Sequence, residues 1–242
     1  LQVVAALGRP PGNIAVAPDG RIFISLHPEG NPETKIAEIK SGRLQPYPDI
    51  PSQHERFDTP LALRIDRQQR LWILDYARHG LGDVKLVAIS LKNDQVVEEF
   101  IFPSEIAGLG SLLNDFQVDA GGEKIYISDT SIWRQEPALI IYDVAQRRAR
   151  RILERHASVS NGPYAVHIQG QPHKLLSTFV LKWGVDGIAL SRDGRWLYYA
   201  PLNGGQLYRV ATDVLNDENL KGDTMSSGVS RWAPISLTDG MT

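Results

Sequence analysis

Short apolar segments alternate with polar turns along the whole chain, and segments with helical periodicity are scarce. Between them, 21 glycines and 15 prolines occur at short intervals. Many short strands separated by Gly- and Pro-containing turns are typical of an all-β sandwich, barrel or propeller. Helix is predicted only in short connections such as residues 213–220.

An internal repeat distinguishes among these three architectures. Four segments share one pattern: a short apolar strand, a polar turn and a second strand with a central aromatic residue. They are NIAVAPDGRIFIS from Asn13, LALRIDRQQRLWILD from Leu61, NDFQVDAGGEKIYISD from Asn114 and DGIALSRDGRWLYYA from Asp186, with the aromatic residues Phe23, Trp72, Tyr126 and Tyr198. Each unit supplies two further strands, and four strands per unit of roughly 50 residues is the pattern of a propeller blade. The sequence therefore predicts an all-β propeller of four-stranded blades.

The spacing of the repeat predicts the number of blades. Four units span the 226 residues from Asn13 to Asp239, and the pattern begins again at residues 238–241. At about 56 residues per blade, a six-bladed propeller needs roughly 340 residues. We therefore expect residues 1–242 to be a single propeller domain that is incomplete at its C-terminus, with four blades and one further strand of a six-bladed chain; a five-bladed chain is the alternative. Exposed blade faces are expected to make the 1–242 polypeptide aggregate or associate.

Candidate ligand-binding residues fall at one position of the repeat. In a propeller the first strand of each blade lines the central channel, so equivalent residues meet around the axis. The repeat places Asn114, Asp186 and Asp239 at one such position, where the first blade has a glycine followed by Asn13. These side chains suit a hard cation such as Ca²⁺, with Asn114, Asp186 and Asp239 as ligands, or a cationic or hydroxylated ligand. The alternative is structural, because Asx side chains at strand starts commonly bond nearby backbone N–H groups.

Aromatic residues in and after the long insertion at residues 159–182 are further candidates. Long loops in compact domains are often functional, and this insertion closely precedes Asp186. Tyr164 and Trp183 could therefore stack on an aromatic or cationic ligand at the channel mouth. They could equally pack the loop onto the blade, as buried aromatic residues commonly do.

Two other charged features have competing interpretations. Asp75 and Asp129 end the second strands of two repeats, where they either face a ligand or cap the turn of a repeated hairpin, and we favour the cap. The basic run RRARR at residues 147–151 falls on the outermost strand of the third repeat. There it favours protection of a sheet edge, with a polyanion-binding patch or a short helix as the alternatives.

Composition excludes several classes of function. With 26 basic and 28 acidic residues the net charge is −2, which argues against a general nucleic-acid binder. The absence of cysteine excludes disulfides, thiolate catalysis and Cys-ligated zinc. The sequence contains no G-x-S-x-G, HExxH, P-loop or G-x-G-x-x-G motif. No apolar run approaches the ~18 residues of a membrane span, so a membrane is not predicted as a partner. Because of the net charge, nucleic acid is not predicted as a partner either.

Several segments together resemble the royal jelly and yellow protein family. They are GRIFISLHP, TKIAEI with PYP, RLWILD, LLNDFQVD with IYISD, ALIIYD and DGIALSRDGRWLYYAPLNGGQLYRV, and they span most of the chain. The resemblance implies a six-bladed propeller and a secreted or periplasmic location. It also implies functions that range from dopachrome conversion to the binding of small amines and nutritive or signalling roles. The chain is more distantly similar to gluconolactonase and calcium-dependent lactonase propellers, although their first-blade glutamate ligand is missing from GRPPGNIAV.

These observations support three hypotheses for function. The first is a small-molecule-binding propeller whose ligand or cation site, at the channel mouth, is formed by Asn13, Asn114, Asp186, Asp239 and Trp183. The second is an enzyme acting there, either an isomerase of an oxidised catechol-like compound or a metal-assisted lactonase. The third is a non-catalytic extracellular interaction protein. The sequence alone identifies no catalytic residue, and it leaves open enzymatic activity, bound Ca²⁺ and the oligomeric state.

Overall fold

The computed structural model of the chain contains four antiparallel sheets of four strands each. The structure describes residues 3–162, 167–168, 171–172, 174–175, 179–180, 183–220, 222–236 and 241. We number the four sheets blades 1 to 4 in chain order, and in each of them consecutive strands are neighbours. The predicted fold class, an all-β chain built of four-stranded propeller blades, is confirmed.

The strands of the four blades have the following bounds. Blade 1 contains β1 (Pro11–Val16), β2 (Ile22–Leu26), β3 (Ile36–Lys40) and β4 (Arg43–Pro46). Blade 2 contains β5 (Pro60–Ile65), β6 (Arg70–Asp75), β7 (Lys85–Ser90) and β8 (Gln95–Ile101). Blade 3 contains β9 (Leu113–Val118), β10 (Lys124–Asp129), β11 (Ala138–Asp143) and β12 (Arg148–Ile152). Blade 4 contains β17 (Val185–Leu190), β18 (Trp196–Pro201), β19 (Gln206–Ala211) and β20 (Val229–Pro234).

The remaining elements are short connections. Two small hairpins pair β13 (His167–Ile168) with β14 (Gln171–Pro172), and β15 (Lys174–Leu175) with β16 (Phe179–Val180). The helices are α1 (Ile50–Glu55), α2 (Ala77–Gly80), α3 (Ser104–Ala107), α4 (Thr212–Asn216), α5 (Gly222–Ser226) and a 3₁₀ turn at Pro28–Gly30. The helix predicted near residue 213 is therefore confirmed as α4. In the described ranges, none of the helices has the length and apolar character needed to cross a membrane.

The repeat inferred from the sequence is reproduced in the strand register. In every blade the aromatic residue of the second strand lies opposite the equivalent residue of the first strand. The four pairs are Phe23 with Ala15, Trp72 with Arg64, Tyr126 with Gln117 and Tyr198 with Ala189. Alternation along each strand then sends neighbouring side chains to opposite faces of the sheet.

The chain divides into two compact units, Leu1–Pro103 with blades 1 and 2, and Ser104–Thr242 with blades 3 and 4. In the first unit, side chains of both blades, among them Phe23 and Leu63, share one hydrophobic core. In the second unit, Tyr126 of blade 3 and Ile188 of blade 4 belong to another. Burial of apolar area, at roughly 25 cal/mol per Å², stabilises both pairs of blades. A single domain and six blades remain predictions.

Candidate functional site

The position singled out in the sequence is a β-bulge in all four blades. Near the start of each first strand, two residues oppose a single residue of the second strand. The first bulge residues of blades 1 to 4 are Gly12, Leu61, Asn114 and Asp186. A bulge leaves one residue out of the ladder and redirects its side chain. The predicted equivalence of Asn114 and Asp186 therefore has a structural basis that the sequence did not reveal.

The two polar bulge residues of the second unit contact each other. The Asn114 amide (Nδ2) donates a hydrogen bond to Oδ1 of Asp186, although 72 residues separate them in the chain. Asp186 is buried, with 3% of its surface exposed, whereas Asn114 is half-buried. The third predicted member, Asp239, lies outside the described residues. The structure thus brings together the two members of the predicted cluster that it describes.

A buried serine holds this pair of bulges in register. The hydroxyl of Ser128, on β10 of blade 3, donates to the carbonyl oxygen of Asp186 (2.7 Å) and accepts from the backbone N–H of Asp115 (3.2 Å). One side chain therefore connects the bulge of blade 3 to the bulge of blade 4. Sequence reasoning missed Ser128.

The same serine bridge is present in the first unit. Ser25, on β2, accepts from the N–H of Asn13 (2.8 Å) and donates to the carbonyl of Leu61 in blade 2 (2.6 Å). Both serines follow the aromatic residue of the repeat, in IFIS and IYIS. The recurrence of this serine in two repeats was the sequence signal for the bridge. A serine in a strand does not, however, indicate which backbone group in the next blade it bonds.

Asn13 occupies the second position of the blade 1 bulge. Its Oδ1 accepts hydrogen bonds from the N–H of Ile14 (2.8 Å) and from Nη1 of Arg64 in blade 2 (3.3 Å). The bond to Ile14 is the local Asx contact that the structural alternative predicted. The preceding residue, Gly12, has no room for a side chain, since a Cβ there would lie 2.8 Å from both Leu61 Cδ1 and Ser25 Oγ.

Trp183 is placed at the entrance to β17 by a tightly packed glycine. A Cβ on Gly184 would lie 2.3 Å from the Cβ of Pro137 and 2.9 Å from the carbonyl oxygen of Thr130. The N–H of Gly184 donates to that same carbonyl (3.1 Å). The backbone before Asp186 is therefore held closely against blade 3. A ligand-stacking role for Trp183 remains a prediction, and Tyr164 lies outside the described residues.

Asp75 and Asp129 are buried caps of the turns at this end of their blades. Asp75 accepts from the N–H groups of Asp58 (2.7 Å), Thr59 (2.9 Å) and Ala77 (3.0 Å). Burial raises the pKa of the Asp75 carboxyl, while these N–H donors favour its ionised form. The turn-capping interpretation is confirmed for this residue.

Asp129 caps the equivalent turn and also forms an ion pair. It accepts from the N–H groups of Leu112 and Ser131 (both 2.9 Å), and its Oδ2 lies 2.7 Å from Nη1 of Arg151. Burial raises the pKa of the Asp129 carboxyl, and Arg151 opposes that shift. The capping interpretation is confirmed here too.

The basic run forms strand β12, the outermost strand of blade 3, and the helical alternative is wrong. Arg151 turns inward, where it bonds Asp129, Glu154 (2.6 Å) and the carbonyl of Ile106 (2.6 Å). Arg150 donates to the carbonyl of Leu215. These two arginines therefore serve contacts within the second unit.

Within the described ranges, no three or more His, Cys, Asp or Glu side chains are grouped closely enough to hold a metal ion. That grouping does not count Asn114, which is an amide, or Asp239, which falls outside the described ranges. A Ca²⁺ site formed by Asn114, Asp186 and Asp239 therefore remains a prediction.

Repeated four-stranded antiparallel sheets, with consecutive strands as neighbours, are the blades of a β-propeller. A solved structure of the nidogen/laminin complex contains a similar chain, with a TM-score of 0.54 and 8% identity, covering 84% of this chain and 61% of that one. At that identity the likeness concerns the fold alone.

The chain belongs to the major royal jelly protein family, whose model matches residues 59–231. Major royal jelly protein 2 of Apis mellifera is 29% identical over 78% of this chain and 48% of its own length. Major royal jelly protein 3 of the same species is 26% identical, over 72% of this chain and 33% of its own length. Protein yellow of Drosophila erecta is 24% identical, over 76% and 36%. The resemblance inferred from the sequence is confirmed, and the chain spans a third to a half of these relatives.

Proposed function

We propose that this chain is the part of a royal jelly/yellow-type propeller that binds a small molecule at the paired bulges of blades 3 and 4. The observation that carries the proposal is the buried carboxylate of Asp186, hydrogen-bonded to the Asn114 amide. A carboxylate accepts strong, charge-assisted hydrogen bonds from cationic groups, and an amide both donates and accepts hydrogen bonds. The pair therefore offers the chemistry that recognises a small ligand with an amine or hydroxyl group.

Rigid backbone around the pair supports a binding role. Ser128 holds the carbonyl of Asp186, and the close packing of Gly184 fixes the chain that leads into the same strand. A site that is already ordered loses less conformational entropy when its ligand binds. Two bulges connected by a buried hydroxyl meet that condition.

The orientation of the Asn114 amide toward the Asp186 carboxylate favours an organic ligand over a metal ion. The amide nitrogen of Asn114, and not its oxygen, points at the Asp186 carboxylate. Ca²⁺ takes six to eight oxygen ligands and would compete with this hydrogen bond. An amine or hydroxylated molecule donates hydrogen bonds to carboxylate and amide oxygens and needs no such shell of oxygen ligands. Binding of Ca²⁺ alone is therefore an outcome that would contradict the proposal.

The test is a thermal-shift titration of the 1–242 chain with primary amines, polyols and CaCl₂ in parallel. An amine at 100 times its Kd should stabilise the wild type by about 2.7 kcal/mol. Asp186→Asn keeps the shape of the side chain and an acceptor for Asn114 but removes the charge, so it should lose the amine response. Asp193→Asn, in an exposed turn of the same blade, is the matched control and should keep it. An equal response in both variants, or no amine response in the wild type, would refute the proposal.

A further inference from the structure

A cavity of about 390 Å³ lies beside β12, the outermost strand of blade 3, and is bounded on its other side by α5 and the connection from α4. We call it the β12 cavity. Its volume falls within the range of about 300–1,000 Å³ that is usual for small-molecule sites. Strand β9, which carries the bulge at Asn114, is at the opposite edge of the same sheet. The β12 cavity is therefore separate from the candidate site at the paired bulges.

Apolar side chains form part of the cavity wall. Leu153, just after β12, and Met225, on α5, line it and are 8% and 3% exposed. Leu220 lines it as well and packs against the hydrophobic core of the second unit. This wall suits a ligand that has an apolar part to bury.

The charged groups of the wall leave one cation without a counter-charge. Three arginines and two glutamates line the cavity, so positive charge exceeds negative charge by one. Four of these five groups form ion pairs, namely Arg151 with Glu154, Arg155 with Glu136, and Glu218 with Arg148. The fifth is Arg150. Among the described residues it donates to the carbonyl of Leu215 and forms no ion pair.

Arg150 is a half-buried cation with donors to spare. Burial lowers the pKa of its guanidinium, and Glu218 opposes that shift. A guanidinium has five N–H donors in a planar fork. The bond to Leu215 uses one of them. The remaining donors suit a carboxylate, which an arginine can bind through two parallel hydrogen bonds.

His156 adds a second donor to the same wall. The backbone N–H of Ser158 donates to Nδ1 of His156 (3.2 Å), so this nitrogen carries no proton. The Ser158 hydroxyl, 2.8 Å from the same nitrogen, therefore donates to it and accepts from the Tyr199 hydroxyl (2.8 Å). Ser158 and Tyr199 are fully buried, which fixes the ring. The neutral imidazole then carries its proton on Nε2, and His156 lines the cavity.

We propose that the β12 cavity binds a small organic monoanion whose carboxylate accepts hydrogen bonds from Arg150 and His156 and whose apolar part covers Leu153 and Leu220. The excess of a single positive charge matches a single carboxylate. A phosphate or a polyanion would bring further negative charge against Glu154 and Glu218, and like charges brought together are unfavourable.

Calorimetric titration of the 1–242 chain at low salt tests the proposal, with sodium octanoate as the probe. Octanoate should bind at one site per chain. The alcohol 1-octanol has the same apolar chain without the charge and should bind about tenfold more weakly or worse. Acetate should lose roughly fourfold in affinity for each methylene group that is no longer buried. Inorganic phosphate should bind more weakly than octanoate.

Variants locate the binding. Arg150→Gln removes the charge and keeps a donor for the Leu215 carbonyl, and it should weaken octanoate binding about tenfold or more. Arg195→Gln removes an equal charge from an exposed turn of blade 4 and is the matched control. Asp186→Asn, which acts at the paired bulges, should also leave octanoate binding unchanged. The melting temperature of each variant confirms that it is folded.

The other outcomes overturn the proposal. They are no octanoate binding to the wild type, equal affinity of Arg150→Gln and wild type, loss of binding in Asp186→Asn, or binding of 1-octanol or phosphate as tight as that of octanoate. Because Arg150→Gln removes a contact to α4, Glu154→Gln serves as a second variant. It takes a negative charge from an exposed side chain of the wall and should strengthen octanoate binding about threefold. An unchanged or weaker affinity in that variant would contradict the charge argument.

Discussion

Replacing Ser128 by alanine should destabilise the second unit and loosen the candidate site. The hydroxyl is fully buried and bonds the carbonyl of Asp186 and the N–H of Asp115. Alanine fits the space but leaves both backbone groups without this partner. An unsatisfied buried polar group costs roughly 1–3 kcal/mol, so we expect a loss of about 2 kcal/mol in the free energy of unfolding. In a chain of this length each kcal/mol lowers Tm by about 2–4 °C, so the expected decrease is about 4–8 °C.

Calorimetry of wild type and variants measures this loss. Ser25→Ala removes the equivalent bridge in the first unit and should cost a similar amount. Ser227→Ala is the control, because its hydroxyl bonds Thr224 in an exposed turn and water can replace it. In the amine titration, Ser128→Ala should also bind more weakly, since the Asp186 bulge is no longer held. A decrease in Tm for Ser128→Ala no larger than that for Ser227→Ala would refute the inference that the bridge stabilises the blade interface.

Two further changes probe buried groups in the second unit. Asp129→Asn leaves the buried Arg151 with Glu154 as its acidic partner, so it should lower the free energy of unfolding, measured in urea, by about 3 kcal/mol. The control Glu154→Gln changes an exposed side chain and should lower it by less than about 1 kcal/mol. Burial raises the pKa of Tyr126 from 10.0 to about 12, so between these pH values the unfolded state binds fewer protons and stability falls as pH rises. Tyr126→Phe should therefore reduce the slope of the free energy of unfolding against pH in that range by up to about 1.4 kcal/mol per pH unit. An unchanged slope would contradict the raised pKa of Tyr126.

Much of the fold was accessible from the sequence because its signals are local and repeated. Alternation within strands and turn residues between them predict the β structure, and the recurring aromatic residue identifies the blades. The repeat also aligned Asn114 with Asp186, which the structure places in contact. That alignment needed no knowledge of the bulge, since equivalent positions of a repeat adopt equivalent geometry.

Other features were decided only by tertiary structure, because they depend on which faces meet. The partner of Ser128 lies 58 residues away in the next blade, and no local pattern indicates it. Arg151 appears in the sequence as one cation of an exposed edge strand, yet it lies inside the unit and pairs with the buried Asp129. Hydrophobic periodicity determines which side chains are turned inward, whereas the packing of one blade on the next determines which polar groups become partners. The sequence by itself therefore determined the blades and their repeat, and the tertiary structure decided the hydrogen bonds and ion pairs that join them.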